Sequence, residues 1–134
     1  MANIAQWNTI IHSIYDRSSK KMFKKHNAEM RNIAENFIDY SGFIQSTDNP
    51  VLALKKVYVH KEQKGMMAID QKGTGKNLAQ LRLYVYPDTD KKEIHVLKVN
   101  TKPTKSQQGQ DITECLKLLE KEGLVSIRKS KKSS

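Results

Sequence analysis

The chain has little cysteine, little acid and no long apolar run, and each shortage narrows what it can be. Its single cysteine, Cys115, excludes an intramolecular disulfide and a multi-cysteine zinc site. Cys115 lies inside a helical pattern, where a free thiol reads as a small buried hydrophobe. No apolar segment approaches the roughly 18 residues that a membrane-spanning helix needs. The opening MANIAQWNTIIHSIYDR has neither the basic start nor the continuous apolar core of a secretory signal. These absences predict a cytoplasmic protein without membrane association.

Acidic residues are scarce relative to basic ones. Against 24 Lys and Arg stand 14 Asp and Glu, a formal charge of +10 over 134 residues. A polyanion is therefore the expected partner, whether RNA, DNA, an acidic protein or an anionic surface. The plainer alternative is a soluble basic protein with no such partner. Apolar residues make up 37% and charged residues 28%, which suits one modest core under a large solvated surface rather than a disordered chain. The expected organisation is one domain over 1–127, followed by a basic, serine-rich tail at 128–134 that reads as flexible.

Chemistry-bearing motifs are also missing. His12, His26, His60 and His95 are scattered, with no H-E-x-x-H or C-x-x-C spacing, so neither a metal nor a cofactor is expected. No G-x-S-x-G elbow is present. The loop KGTGKN resembles a phosphate loop only superficially. Asp70 stands where the first glycine should be and Asn77 follows the lysine, and no helical pattern follows. What remains is a turn that displays Lys72 and Lys76.

Local pattern predicts an α+β fold. Residues 7–16 suit a strand, with a short helix as the competitor. Two helices, or one bent helix, are expected over about 18–45, capped at Ser18 or Ser19 and again at Asn27. The apolar stripe of the second is Met30, Ile33, Ala34, Phe37 and Ile38, and Lys20, Lys21, Lys24 and Lys25 form a basic face beside it. Asn49-Pro50 breaks the helix. Val51–His60 and Met66–Asp70 read as strands. Leu81, Leu83 and Val85 alternate with Arg82, Tyr84 and Tyr86, and after the turn Pro87–Asp90 a partner strand follows. In that partner Ile94, Val96 and Lys98 oppose His95, Leu97 and Val99. Asp111 is expected to cap a helix carrying Ile112, Cys115, Leu116 and Leu119, with Gly123 ending it. Leu124–Ile127 reads as a last short strand. The architecture expected is an N-terminal strand and helices packed on a mostly antiparallel sheet, with a C-terminal helix.

Arg82 draws attention because an arginine on a well-formed strand needs either solvent or an anion. Its planar fork can hold a phosphate through two bonds. In RNA cleavage such a group would stabilise charge building on the scissile phosphate. Tyr84 and Tyr86 share its face and could stack on unpaired bases, or equally cover the sheet against a helix. Lys98, Lys102 and Lys105 extend the positive field, and His95 and His60 are the sheet's candidates for a general base.

Arg82-Leu83-Tyr84-Val85-Tyr86, Ile94-His95-Val96-Leu97, the basic stretch Asn100–Lys105 and Asp111-Ile112 together resemble the RelE/HigB superfamily of bacterial and phage-derived toxins. The likeness spans about residues 7–122, and 75–122 carries it. It implies metal-independent mRNA cleavage, often on the ribosome, and neutralisation by a tightly bound antitoxin. It also implies that Arg82 contacts the scissile phosphate and that Lys102 supplies a second basic group. Lys72 and Lys76 then stand near the basic residues before the arginine strand. The chain has no C-terminal Tyr or His where several members have a catalytic one, and some relatives with the same fold inhibit gyrase instead. The expected catalytic set is Arg82, Lys102 and His95, with Lys72, Lys76, Tyr84, Tyr86, Lys98 and Lys105 binding RNA. On this reading Arg82→Ala abolishes growth inhibition and leaves the fold intact.

Two other functions fit the composition. A non-catalytic nucleic-acid-binding module of winged-helix type would use Asp111–Gly123 and the following strand and basic tail, although the hairpin 81–99 suits it poorly. A basic adaptor or inhibitor would instead bind an acidic protein by charge complementarity.

Overall fold

The computed structural model describes residues 6–71, 79–101 and 104–126. A five-stranded mixed sheet carries helices on both faces, an α+β arrangement with the strand order β1-β5-β4-β3-β2. The strands are β1 (Asn8–Ile11), β2 (Val59–Lys61), β3 (Met67–Asp70), β4 (Leu81–Asp88) and β5 (Glu93–Thr101), and the helices are α1 (Ser13–Lys25), α2 (Asn27–Thr47) and α3 (Lys105–Lys121). Only β1 runs parallel to its neighbour, β5; the other pairings are antiparallel. Both readings of residues 7–16 are present in turn, since β1 passes into α1 after His12.

Strand alternation divides the core. Met67, Ile69, Leu81, Leu83, Val85, Ile94, Val96 and Val99 face α1 and α2, meeting Met22, Met30, Ile33, Tyr40 and Ile44. Ala68, Tyr84 and Leu97 face α3, meeting Cys115 and Leu119. The α2 stripe is Met30, Ile33, Phe37, Tyr40 and Ile44, a regular three-four spacing. Ala34 and Ile38, expected within it, are exposed, Ile38 at 70%.

Several boundaries differ from expectation for local reasons. Ser18 and Ser19 lie inside α1 and donate to the carbonyls of Tyr15 and Asp16, an i−3 bond that lets serine sit within a helix. Pro50 opens a 3-10 turn over Pro50–Lys55 instead of a strand, with Asn49 Oδ1 accepting the Val51 N–H at 3.2 Å; proline suits the first turn of a helix. That leaves β2 only three residues. β2 and β3 join through Lys64 and Gly65, both at positive φ, with Met66 N–H bonding Gln63 C=O, the primed turn that matches strand twist. A register shift opposite Tyr84 and Val85 turns Leu97 and Lys98 to one face, so Lys98 points at α3 and Val99 joins Ile94 and Val96. Leu124 and Val125 pack on the α3 side without forming a strand; Ile127 and the tail lie outside the described residues.

α3 begins seven residues earlier than expected, with Thr104 as its cap, whose hydroxyl accepts the Gln107 N–H at 3.0 Å. It ends as expected: Gly123 has φ +76, Gly123 N–H bonds Glu120 C=O, and Leu124 N–H bonds Leu119 C=O, a Schellman pair. A Cβ at Gly123 meets nothing within 4 Å, so the left-handed backbone alone sets the cost of substitution. Gly123→Ala is expected to lose about 1 kcal/mol in urea unfolding.

At the other end of the chain, the Gln45 side chain accepts the Trp7 N–H and donates to the Trp7 C=O, at 3.0 and 2.7 Å. Trp7 Nε1 donates to Asp48 at 2.8 Å. The entry into β1 is thereby tied to the end of α2.

A candidate histidine, carboxylate and arginine site

The adjacent ends of β2, β3, β4 and β5 bring polar residues into one row beneath the first turns of α3. Asp70 pairs with Arg82 and Arg82 with Asn100 across the sheet, while His60 stands diagonal to Asp70, within side-chain reach. His60 Nε2 lies 2.7 Å from Asp70 Oδ2, and Asp70 Oδ1 accepts from Arg82 Nε at 2.9 Å. Arg82 Nη1 donates to Glu62 at 3.2 Å and reaches Gln108 of α3 at 3.4 Å. Burial works against the Arg82 charge, but Asp70 and then Glu62 outweigh it and raise the guanidinium above its usual range.

The two ends of this chain differ in access. The Arg82 side chain is 10% exposed, whereas the His60 side chain is 43% exposed. The arginine is thus an internal strut, and the histidine is the group presented to solvent. With its Nε2–H directed to Asp70, the ring keeps Nδ1 as the basic nitrogen. A carboxylate that fixes tautomer and ring orientation is the device that equips an imidazole for proton transfer.

The row continues through Lys98 and Asn100 to Asp111. Asp111 is fully buried and receives bonds from Lys98 at 2.8 Å, Asn100 at 3.1 Å and Gln107 at 3.2 Å. It is an internal anchor of α3 on the sheet, not a cap. Burial opposes the Lys98 charge, but Asp111 and Glu114 overcome it and hold the ammonium above its usual range. Asp111→Ala is expected to cost about 2 kcal/mol of stability, because Lys98 and Asn100 lose a buried acceptor; thermal unfolding checks this.

Of the residues expected to act on RNA, the structure therefore brings few to the surface. Arg82 is paired with two carboxylates and is not presented to a phosphate. Tyr84 is 1% exposed beneath α3, so it covers the sheet rather than stacking on a base. Tyr86 is half-buried beside the same cluster, and its hydroxyl donates to Leu124 C=O at 3.4 Å. Lys98 is held by Asp111 and Glu114. His95 is 5% exposed, with Nδ1 2.8 Å from His12 Nε2 and Nε2 3.2 Å from Glu93; it lacks the access a general base requires. Burial, and then the neighbouring His95, push the His12 imidazole below its usual range. Lys105 is exposed at the start of α3. Lys72, Lys76 and Lys102 lie outside the described residues.

Two further placements left no mark in local pattern. Glu29 of α2 accepts the Ala79 N–H at 2.8 Å, which holds its carboxyl below the usual range and fixes the approach to β4. Asp88, Glu93 and His95 bring their ligand atoms within 4.8 Å of one another, the one such cluster among the described residues. Asp88 Oδ1, however, already accepts the N–H groups of Asp90 and Lys91 in the hairpin turn, and both His95 nitrogens have partners. Burial pushes the Cys115 thiol up to about 12, which leaves it a packing residue. Among the described residues no helix is long and apolar enough to cross a membrane. No protein-family model, curated protein or solved structure matches the chain.

Proposed function

We propose that the chain is an RNA-cleaving toxin of the RelE/HigB kind, held in check by a cognate antitoxin and acting on mRNA, with His60 as its general base. The observation that carries this reading is the half-exposed His60 bonded to Asp70, which is itself fixed by the buried Arg82. The order of elements supports it, since the resemblance implies a first strand, two helices, an arginine-bearing sheet and a last helix. The charge of +10 supports it through the attraction of a polyanion.

In this reaction His60 Nδ1 takes the proton of a ribose 2′-OH. The 2′-oxygen attacks the adjacent phosphorus, the bond to the 5′-oxygen breaks, and that oxygen leaves with a proton taken from solvent water, to which His60 later returns its own. The products are a 2′,3′-cyclic phosphate and a 5′-hydroxyl end. Arg82 serves as a positioning residue for Asp70, in place of the phosphate contact expected of it. Charge on the phosphate falls to lysines, of which Lys102 is the one the resemblance designates.

Primer extension on cellular mRNA after brief induction tests the proposal. New cuts bearing cyclic phosphate ends are expected; intact transcripts from a well-expressed chain overturn it. A second reading, binding of RNA without cleavage, is favoured by the local charge: Asp70, Glu62, Asp111 and Glu114 outnumber Arg82 and Lys98 in the row beneath α3. Under that reading the pure protein retains RNA with a steep salt dependence and leaves it whole.

A further inference from the structure

Among the described residues, the positive charge that the sheet does not neutralise is densest on α1. Lys20, Lys21, Lys24 and Lys25 are all exposed, and no carboxylate among the described residues forms an ion pair with any of them. By contrast, Lys56, Lys92, Lys98 and Arg82 are each paired. Between α1 and the end of β5 lies a cleft of about 330 Å³, lined by Ser18, Lys21, Lys25, His26, Asn100 and Thr101 among others. Its lysines are Lys21, Lys25 and Lys98, the last held by Asp111 and Glu114, and His26 beside them lies 3.5 Å from Glu29. On the adjoining surface Phe23 is 43% exposed within a shallow, mostly apolar hollow formed with Lys20, Lys21 and Lys24. Lys21 lines both depressions, and Lys20, one turn before Phe23, flanks the ring on its own side of the helix.

A large aromatic ring left in water among unpaired lysines has an evident use. Cations hold a phosphate backbone, and a ring face stacks an unpaired base regardless of its identity. We infer that α1 is a docking strip for single-stranded RNA, with a backbone phosphate in the cleft at Lys21 and Lys25 and a base stacked on Phe23. The strip rests on the proposed function in placing RNA on this chain, and it deepens that reading by specifying an unpaired strand. Duplex RNA offers no exposed base face and could engage only the lysines. Thirteen residues with one large exposed apolar side chain on this face give a lipid surface little to hold.

Fluorescence anisotropy on a labelled oligouridine, a matched RNA duplex and anionic phosphatidylserine vesicles tests the strip, using the full chain. Phe23→Ala is expected to weaken oligouridine binding about tenfold and to leave duplex binding unchanged, while Phe23→Tyr retains the wild-type affinity. Lys21→Glu with Lys25→Glu should weaken both RNAs and flatten the salt dependence by about two contacts. All these positions are exposed, and circular dichroism verifies folding. Wild-type affinity in Phe23→Ala overturns the inference, as does binding of vesicles without binding of oligouridine. If the chain cleaves no RNA but its oligouridine binding depends on Phe23, the docking strip stands and His60 chemistry falls. If the chain cleaves RNA and Phe23→Ala binds normally, the reverse holds.

Discussion

Arg82→Ala is expected to destabilise the protein by about 3–5 kcal/mol, the cost of stripping one partner from a buried ion pair. Asp70 and Glu62 would keep their burial and lose the guanidinium that balances them. For a domain of this size that corresponds to a fall in Tm of about 10–20 °C, read by thermal or urea unfolding. Arg82→Lys should fall less, since it keeps the charge but not the fork that reaches Asp70 and Glu62 together. A Tm for Arg82→Ala within 2 or 3 °C of wild type, on the same scale, would show that the pair contributes little. The expectation from sequence that this variant would stay folded is therefore reversed. Loss of toxicity in it would report on folding before it reported on chemistry.

His60→Gln separates the two effects. Glutamine can still donate to Asp70, and a half-exposed site tolerates the change with a stability difference within about 0.5 kcal/mol. It cannot take a proton, so RNA cleavage is expected to fall by about 10²–10⁴-fold at unchanged Tm. Unimpaired cleavage by a folded His60→Gln would remove His60 from the reaction.

The β4–β5 hairpin, the α2 stripe and the Gly123 terminus were legible because each is written in local period or in a glycine's backbone freedom. The Val51–Lys55 turn was not, because its apolar residues suit a strand while Asn49 and Pro50 impose a cap and a helical turn. The face of Lys98 was hidden by a one-residue bulge, which reverses alternation without leaving a mark in composition. The site was legible in its parts and not in its pairing. Arg82, His60 and Asp70 each stood out or lay at a strand end, but whether an arginine meets phosphate or carboxylate depends on which strands are neighbours. Spacing within one strand does not carry that information. Asp111 shows the same limit: an acid before an apolar run reads as a cap until the helix starts about two turns earlier.

β1 covers β5 only as far as Val96, and beyond that point a side chain takes over from a strand. Ser18 Oγ accepts the Val99 N–H at 3.2 Å while its own hydrogen goes to Tyr15 C=O. A helix hydroxyl thus impersonates the missing backbone, closing a seam along which another chain could add itself. Aggregation by strand addition is discouraged there by one oxygen atom, and a valine at position 18 would reopen the seam without disturbing the core.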